Sequence, residues 1–402
     1  MDIFALLEVP DFVRAGSVCS SWRAATPACA SDRGQYRQQQ TPCLLYTSES
    51  AGSKAVGLYS LAEKKAYTLT LPDPPICTRD ILGSSYGWIS TADERCELHL
   101  VNPINGEQIA LPSVSTIEQV KPIFDDTGDI CKYEYSWYAG EGTSILVPSE
   151  LRDFLLYKAF LSSDPSTGDY FVVLIHNPRS QLSFARAGDD KWTWLPPHNL
   201  YEDCLFQDGL LYASTSLGEI HAFDLVAPAS ARKIVADSRF SISDRIYIVQ
   251  APCGELMQVW RSDTFPLEDE EDEYDSELEP ELDHEADQSN TNTIKLYSVN
   301  LTSKELVEVN TLGEYVLFIG RNQSLCLSAK DYTQLETNHA YFTDDNYIDI
   351  SFYKNDRRDI GVFNLENNSQ KEIVSPQLWS NSPTPVWLIP NPRRIMNLAL
   401  QN

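Results

Sequence analysis

Phe12, Ala15, Val18, Cys19 and Trp22 recur at three- and four-residue spacing near the start of the chain, which places them on one face of a helix. Pro10 suits the first position of that helix, where its missing N–H costs nothing, and Asp11 adds favourable first-turn charge. The first 25 residues read as two short helices with an adhesive face. A helix this short is not stable alone in water, so the pair must pack on the rest of the chain or on a partner. A polar bridge rich in Gln and Arg follows from Ser31 to Thr41. From Cys43 on the helical period largely vanishes, and short β-rich runs bounded by Gly, Pro, Asn or Asp take over. That pattern predicts an all-β sandwich, barrel or propeller.

One unit returns along the body: a strand, an Asn or Asp followed by Pro or Leu, a polar turn, then another strand. It is seen at Leu98–Pro112, Leu174–Pro178, Ile220–Leu225, Leu296–Leu301 and Ile360–Leu365, with a looser copy at Leu58–Leu61 and Thr68–Pro72. Asn and Asp suit the turn because their side chains bond the backbone two residues on. Ser60 and Asn102 lie 42 residues apart, and Asn177 and Asp224 lie 47 apart. The gap of 76 from Asp224 to Asn300 shrinks to a similar length once an acidic stretch at about 263–293 is taken out. This is the period of a four-stranded propeller blade. The gap of 75 from Asn102 to Asn177 holds a degenerate blade or another insertion. The expected fold is mainly β: a six- or seven-bladed propeller over 41–402, preceded by short helices and a linker over 1–40. A pair of β-sandwiches is the competing architecture.

Charge changes this picture at one place. Thirteen of the residues from Glu268 to Asp287 are acidic and none is Lys or Arg, which supplies about half of the net charge of −27. Such a run reads as a solvated, disordered surface insertion, with a docking site for a basic partner as the alternative. It lacks the glycine and spacing of a calcium loop. A net charge this negative argues against nucleic acid or an anionic membrane as partner. Nine scattered cysteines without a Cys-x-x-Cys pair support neither a zinc site nor a redox motif, and fit free thiols in a reducing compartment. No basic leader and no apolar run of about 18 residues is present, so the expectation is a soluble protein of the cytoplasm or nucleus.

Candidate chemistry is sparse. Gly83-Ser-Ser85-Tyr-Gly87 satisfies a Gly-x-Ser-x-Gly pattern, but it leads into the strand-like Trp88-Ile-Ser, whereas a nucleophile elbow must lead into a helix. It reads as a β-turn shaped by glycines. The six histidines show no metal-binding or catalytic spacing, and those at 99, 176 and 221 are expected to pack or close turns. Adjacent Asp344 and Asp345 point to opposite faces if on a strand, so they read as a turn. No catalytic residue, metal site or cofactor is assigned.

Arg14, Val18-Cys19 and Trp22-Arg23, with Ile3-Phe4-Ala5-Leu6-Leu7 ahead of them, resemble the later part of a plant F-box. The pattern's opening Leu-Pro and first turn have no counterpart after Met1, so the match is to a truncated F-box. Gly83–Trp88, the Asn102-Pro103 to Leu111-Pro112 hairpin, Leu312–Ser328, Ala340–Asp345 and Pro385–Pro390 resemble the plant F-box family with a C-terminal KIB-type β-propeller. The resemblance implies a non-catalytic substrate-recognition subunit of a Skp–cullin–F-box ubiquitin ligase, monomeric outside that complex. In it, Ile3, Phe4, Leu6, Leu7, Pro10, Val18, Cys19 and Trp22 contact the Skp-type adaptor, and the propeller holds a protein substrate. Two alternatives stand beside it: a propeller interaction scaffold without adaptor binding, and a propeller hydrolase, which needs carboxylates converging at the central channel.

Overall fold

The computed structural model describes residues 40–137, 142–226, 232–235, 244–264, 290–332 and 334–391. The helix pair expected within residues 1–25, including Ile3, Phe4, Leu6, Leu7, Pro10, Val18, Cys19 and Trp22, lies outside the described residues. So does the acidic run Glu268–Asp287, which joins two adjacent strands of one sheet.

Six sheets stand around a central axis. Blade 1 contains Cys43–Tyr46, Ala55–Ser60 and Lys65–Thr70, and blade 2 runs Asp80–Ser85, Trp88–Ala92, Leu98–Val101 and Gln108–Ala110. Blade 3 is built from Leu156–Leu161, Phe171–His176, Gln181–Arg186 and Thr193–Leu195. Blade 4 follows with Tyr201–Gln207, Leu210–Thr215, Ile220–Phe223 and Arg232–Val235. Blade 5 comprises Asp244–Gln250, Leu256–Thr264, Asn290–Asn300 and Glu305–Val309. In each of blades 2 to 5 the first strand is innermost; in blades 2 to 4 it meets the first strand of the next blade, and in blade 5 it meets Leu325–Ser328 of blade 6. Blade 6 departs from this pattern. Its strand Tyr315–Ile319 runs parallel to His339–Phe342 and carries Leu325–Ser328 on its other edge, with Gly361–Asn364 and Ser369–Lys371 outside.

The ring closes between its two chain ends. Val386–Leu388 supplies the inner strand of blade 1, antiparallel to Cys43–Tyr46, with Leu388 opposite Cys43 and Val386 opposite Leu45. Six apolar clusters fill the six gaps between blades. The gap between blades 6 and 1 is sealed by Trp387, whose ring stands 5.2 Å from Phe318 and 5.9 Å from Tyr341. The inner strands are therefore buried on both faces and near-continuously apolar, as in Phe160-Leu161 and Val172-Val173-Leu174-Ile175, whereas outer strands such as Lys65–Thr70 and Ser369–Lys371 are largely exposed.

The blade count is six. The long gap between Asn102 and Asn177 is filled by an insertion, a three-stranded sheet of Val120–Phe124, Ile130–Ser136 and Thr143–Leu146, followed by helix α1 (Pro148–Leu155). Tyr133, Tyr135, Leu151 and Leu155 join the apolar cluster between blades 2 and 3. A second helix, α2 (Tyr347–Phe352), follows blade 6 strand His339–Phe342. Neither helix was expected after Cys43. Yet α1 opens with Pro148 in its first turn and Glu150 accepting from the Val147 amide at 3.1 Å, a legible start signal.

The repeated Asn or Asp does close turns. Asn102 Oδ1 accepts the amides of Ile104 (3.0 Å) and Asn105 (3.3 Å), and Asn300 Oδ1 those of Thr302 and Ser303, both at 3.0 Å. Asp224 and Asn364 do the same for Val226 and Glu366. These four residues link the last two strands of their blades. Asn177 does not belong with them: it lies between the second and third strands of blade 3, and its side chain donates to Phe154 O at 2.8 Å. The apparent repeat there was one strand out of phase.

Candidate functional site

The inner strands bring their early residues together on the axis. Lys158 of blade 3, Glu202 and Asp203 of blade 4, and Arg245 and Tyr247 of blade 5 come from sequence positions far apart. Thr343-Asp344-Asp345 of blade 6 reaches in between them. Lys158 Nζ lies 2.7 Å from Asp345 Oδ2 and 4.0 Å from Asp203 Oδ1. Tyr247 donates to Asp345 Oδ1 at 2.8 Å, while Arg245 and Arg261 stand 3.5 and 3.6 Å from the same oxygen. Arg245 also pairs with Asp263 and, at 3.6 Å, with Asp344. Arg261 donates to Asp359 at 2.8 Å and lies over the Phe342 ring.

Burial and charge oppose each other here. Burial alone would raise Asp345, but Lys158, Arg245 and Arg261 overcome it and hold this carboxyl well below the usual carboxylate range. Asp203 is pushed up to about 6 by burial, against the pull of Lys158, Ser324 and the Ile248 amide. Glu202 is pushed up to about 7, again chiefly by burial. Buried charges at this density persist only when paired and hydrogen-bonded. The expectation that Asp344 and Asp345 merely close a turn is thus too modest. Asp344 Oδ1 does accept the Asn346 amide at 3.0 Å, but Asp345 is the centre of the ionic core. A hydrolase needs converging carboxylates, and converging carboxylates are present. Asp203, Asp344 and Asp345 are sealed from solvent beside Lys158 and Arg245, whereas Glu202 is half-buried.

The two ends of the axis differ. Tyr347 of α2 donates to Phe154 O at 2.8 Å and accepts from Asn177 at 3.2 Å, and Lys354 pairs with Asp153. These contacts join blade 6 to blade 3, opposite members of a six-membered ring, so α2 crosses one mouth. Midway, the channel closes. Arg321 donates to Ile81 O at 2.7 Å, Gln323 N to Ser84 O at 2.9 Å, and Ser324 to Asp203 Oδ2 at 2.7 Å. A Cβ on Gly83 would stand 2.6 Å from Ala159 O and 2.9 Å from Arg321 O, so backbone from three blades meets there.

Beyond this floor the other mouth opens as a blind cavity of about 560 Å³. Its wall combines Tyr86, Phe206, Leu325, Trp387 and Pro390 with Ser85, Gln250 and Gln323. The volume falls in the range of pockets that hold small ligands or anchoring side chains. Tyr86 and Gly87 have φ of +53° and +81°, the two-residue turn that a tight hairpin requires. The Gly83–Gly87 motif therefore forms a strand and turn leading into strand Trp88–Ala92. His176 is fully buried between Asn177 O and Ser183 Oγ, each at 2.8 Å, and burial pushes it down to about 4, so it packs as a neutral ring. Among the described residues no group of three His, Cys, Asp or Glu is arranged to hold a metal ion.

Comparison with known proteins agrees with this architecture. The model of the KIB1-4 beta-propeller family matches residues 58–364. F-box protein KIB4 of Arabidopsis thaliana is 27% identical over 224 residues, 54% of this chain and 55% of that protein. F-box protein SKIP23 of the same plant is 24% identical over 403 aligned positions, 95% of this chain and 91% of that protein. The first of these matches spans about half of the relative's length. Among solved structures, oligogalacturonate lyase in complex with manganese overlaps 82% of this chain and 74% of its own, with a TM-score of 0.34 and 10% identity.

Proposed function

The chain belongs to the KIB1-4 β-propeller family, and from that premise we propose that it is the substrate-recognition subunit of a Skp–cullin–F-box ubiquitin ligase. The observation that carries this reading is the extent of the SKIP23 match. It takes in 95% of this chain, so it runs beyond the ring into the first 39 residues, where the F-box pattern lies. In this reading Ile3, Phe4, Leu6, Leu7, Pro10, Val18, Cys19 and Trp22 dock on a Skp-type adaptor. The ring holds a protein substrate near the ubiquitin-loaded enzyme, and catalysis belongs to other subunits, acting in the cytoplasm or nucleus. A stiff ring suits the task, because proximity catalysis depends on holding the reacting partners at a fixed distance.

The test is a pull-down with the Skp adaptor, comparing the full chain with one lacking residues 1–30. Capture by the full chain and loss on deletion supports the receptor. Capture by neither moves the conclusion to a propeller scaffold without ligase activity.

A further inference from the structure

The three-stranded insertion between blades 2 and 3 has two edges, and the chain treats them differently. Its middle strand, Ile130–Ser136, pairs with Val120–Phe124 on one side and Thr143–Leu146 on the other. Antiparallel partners alternate between pairs that exchange both backbone bonds and pairs whose N–H and C=O turn outward. Ser136 N donates to Gln119 O at 2.9 Å, which makes those two a bonded pair and Lys121–Glu134 the next one. Val120 and Pro122 therefore present their backbone to the outside, and Pro122 has no N–H to offer there. A proline at such a position, beside the exposed Lys121, closes an edge to any further strand.

The other edge is open. Trp137 N donates to Gly142 O at 3.0 Å, so Ser144–Tyr135 and Leu146–Tyr133 are bonded pairs. Thr143 and Ile145 fall between, with N–H and C=O turned away from the sheet. Among the described residues nothing bonds to those four groups. Both residues are exposed, Ile145 at 52%. Ser144 and Leu146 are half-buried on the opposite face, where Ser144 accepts from Trp137 Nε1 at 2.8 Å, so the strand is fixed in place.

Thr143–Leu146 holds neither a charge nor a proline. The outer strands of the blades are better guarded: Lys65–Thr70, Arg232–Val235 and Glu305–Val309 each carry Lys, Arg or Glu. Gln108–Ala110, Thr193–Leu195 and Ser369–Lys371 have only three residues each. A row of outward donors and acceptors is complementary to the backbone of another extended chain. A second copy is disfavoured as that chain, because each copy carries −27 and the two repel.

We propose that Thr143–Leu146 binds an extended segment of a substrate protein as an added strand. The segment's backbone pairs with the N–H and C=O of Thr143 and Ile145, and an apolar side chain of the segment packs beside Ile145. This deepens the receptor reading and rests on it only in calling the partner a substrate. Ile145→Pro is the informative variant. It removes one outward N–H and no bond within the sheet, and Pro122 already occupies the equivalent place on the opposite edge.

The experiment uses the full chain and a fluorescein-labelled peptide, Lys-Thr-Val-Thr-Val-Thr-Lys-amide, N-methylated at alternate residues. Such a peptide keeps one bonding edge and does not aggregate. The same sequence N-methylated throughout is the control. Saturable anisotropy change with the first peptide, none with the second, and slowed amide exchange of Thr143 and Ile145 by NMR are expected. Ile145→Pro weakens binding about tenfold, through loss of one backbone bond and of the apolar side chain. Ile145→Val, which keeps both kinds of contact, stays within about twofold. Should Ile145→Pro melt early, the fully methylated peptide decides alone, because it leaves the protein unchanged. Adaptor capture by Ile145→Pro stays unchanged. Failure of adaptor capture in the parent chain would remove the receptor reading and leave the binding result standing.

Absence of binding, equal binding of the fully methylated peptide, or equal binding by a folded Ile145→Pro overturns the proposal. Slow exchange of Thr143 and Ile145 before any peptide is added overturns it in favour of an edge covered by the chain itself. A dimer in sedimentation that Ile145→Pro dissociates overturns it in favour of a second copy.

Discussion

Replacing Lys158 with Met tests whether the buried ions on the axis hold the ring together. The ammonium is 1% exposed, 2.7 Å from Asp345 and 4.0 Å from Asp203. At an effective dielectric of about 20 those separations correspond to attractions of about 6 and about 4 kcal/mol. Most of that gross energy is offset by the cost of desolvating the ammonium itself. The net loss on removing one partner of such a buried group is about 3–5 kcal/mol, because the remaining carboxylates are left uncompensated. Met fills similar space, so little of the effect comes from a cavity. The loss should depend on pH. Asp203 already titrates at about 6 because of burial, and without Lys158 its carboxyl moves higher still. Above that range the variant must carry an unpaired charge, whereas below it the carboxyl is neutral in both proteins. Urea denaturation of the full chain should therefore show a larger difference near about pH 8 than near about pH 5.5. A loss below about 1 kcal/mol, or one that does not shrink in mild acid, would refute the argument that Lys158 neutralises this core.

Asp203→Asn addresses the same core from the other sign. A carboxyl raised to about 6 favours the folded state fully below its ordinary value and loses that contribution as pH rises through about 6, so the variant should flatten the melting temperature between about pH 4 and 6. An unchanged slope in thermal scans would count against it. Trp387→Ala opens the seal between blades 6 and 1 and should lower stability by about 3–5 kcal/mol, read as a shift of the urea midpoint. Gly83→Ala forces a Cβ against two carbonyl oxygens of neighbouring blades and should cost about 1–3 kcal/mol, with a normal melting temperature as the contrary result. Asn102→Ala removes two bonds to turn amides and should cost about 1 kcal/mol by the same denaturation assay.

Much of the ring was legible in the residue order. Short apolar runs punctuated by polar turn residues, with Ser60 and Asn102 42 residues apart, were enough to indicate blades, because the alternation of turn and strand is a local property. The turn role of Asn102, Asp224, Asn300 and Asn364 was equally local, since the side chain bonds an amide two residues on. The F-box resemblance from Ile3 to Trp22 was read from residue type and spacing alone, in residues outside those the structure describes.

Other features were decided only in three dimensions. The count of six depended on Val120–Leu146 folding as a side sheet rather than as a blade, and short β-rich runs read the same in either place. Asn177 was assigned to the wrong turn because the motif does not reveal which two strands of a blade it joins. The ionic core escaped sequence reading altogether. Lys158 and Asp345 are 187 residues apart, and each is an ordinary charge within a strand or turn until closure places them 2.7 Å apart. The cavity is similar: Ser85 and Trp387 meet in one wall only because the last strand returns to pair with the first. Local sequence sets which backbone is extended and which face is apolar. Only ring closure fixes which distant side chains share a low-dielectric interior, where a charge acquires its energetic weight.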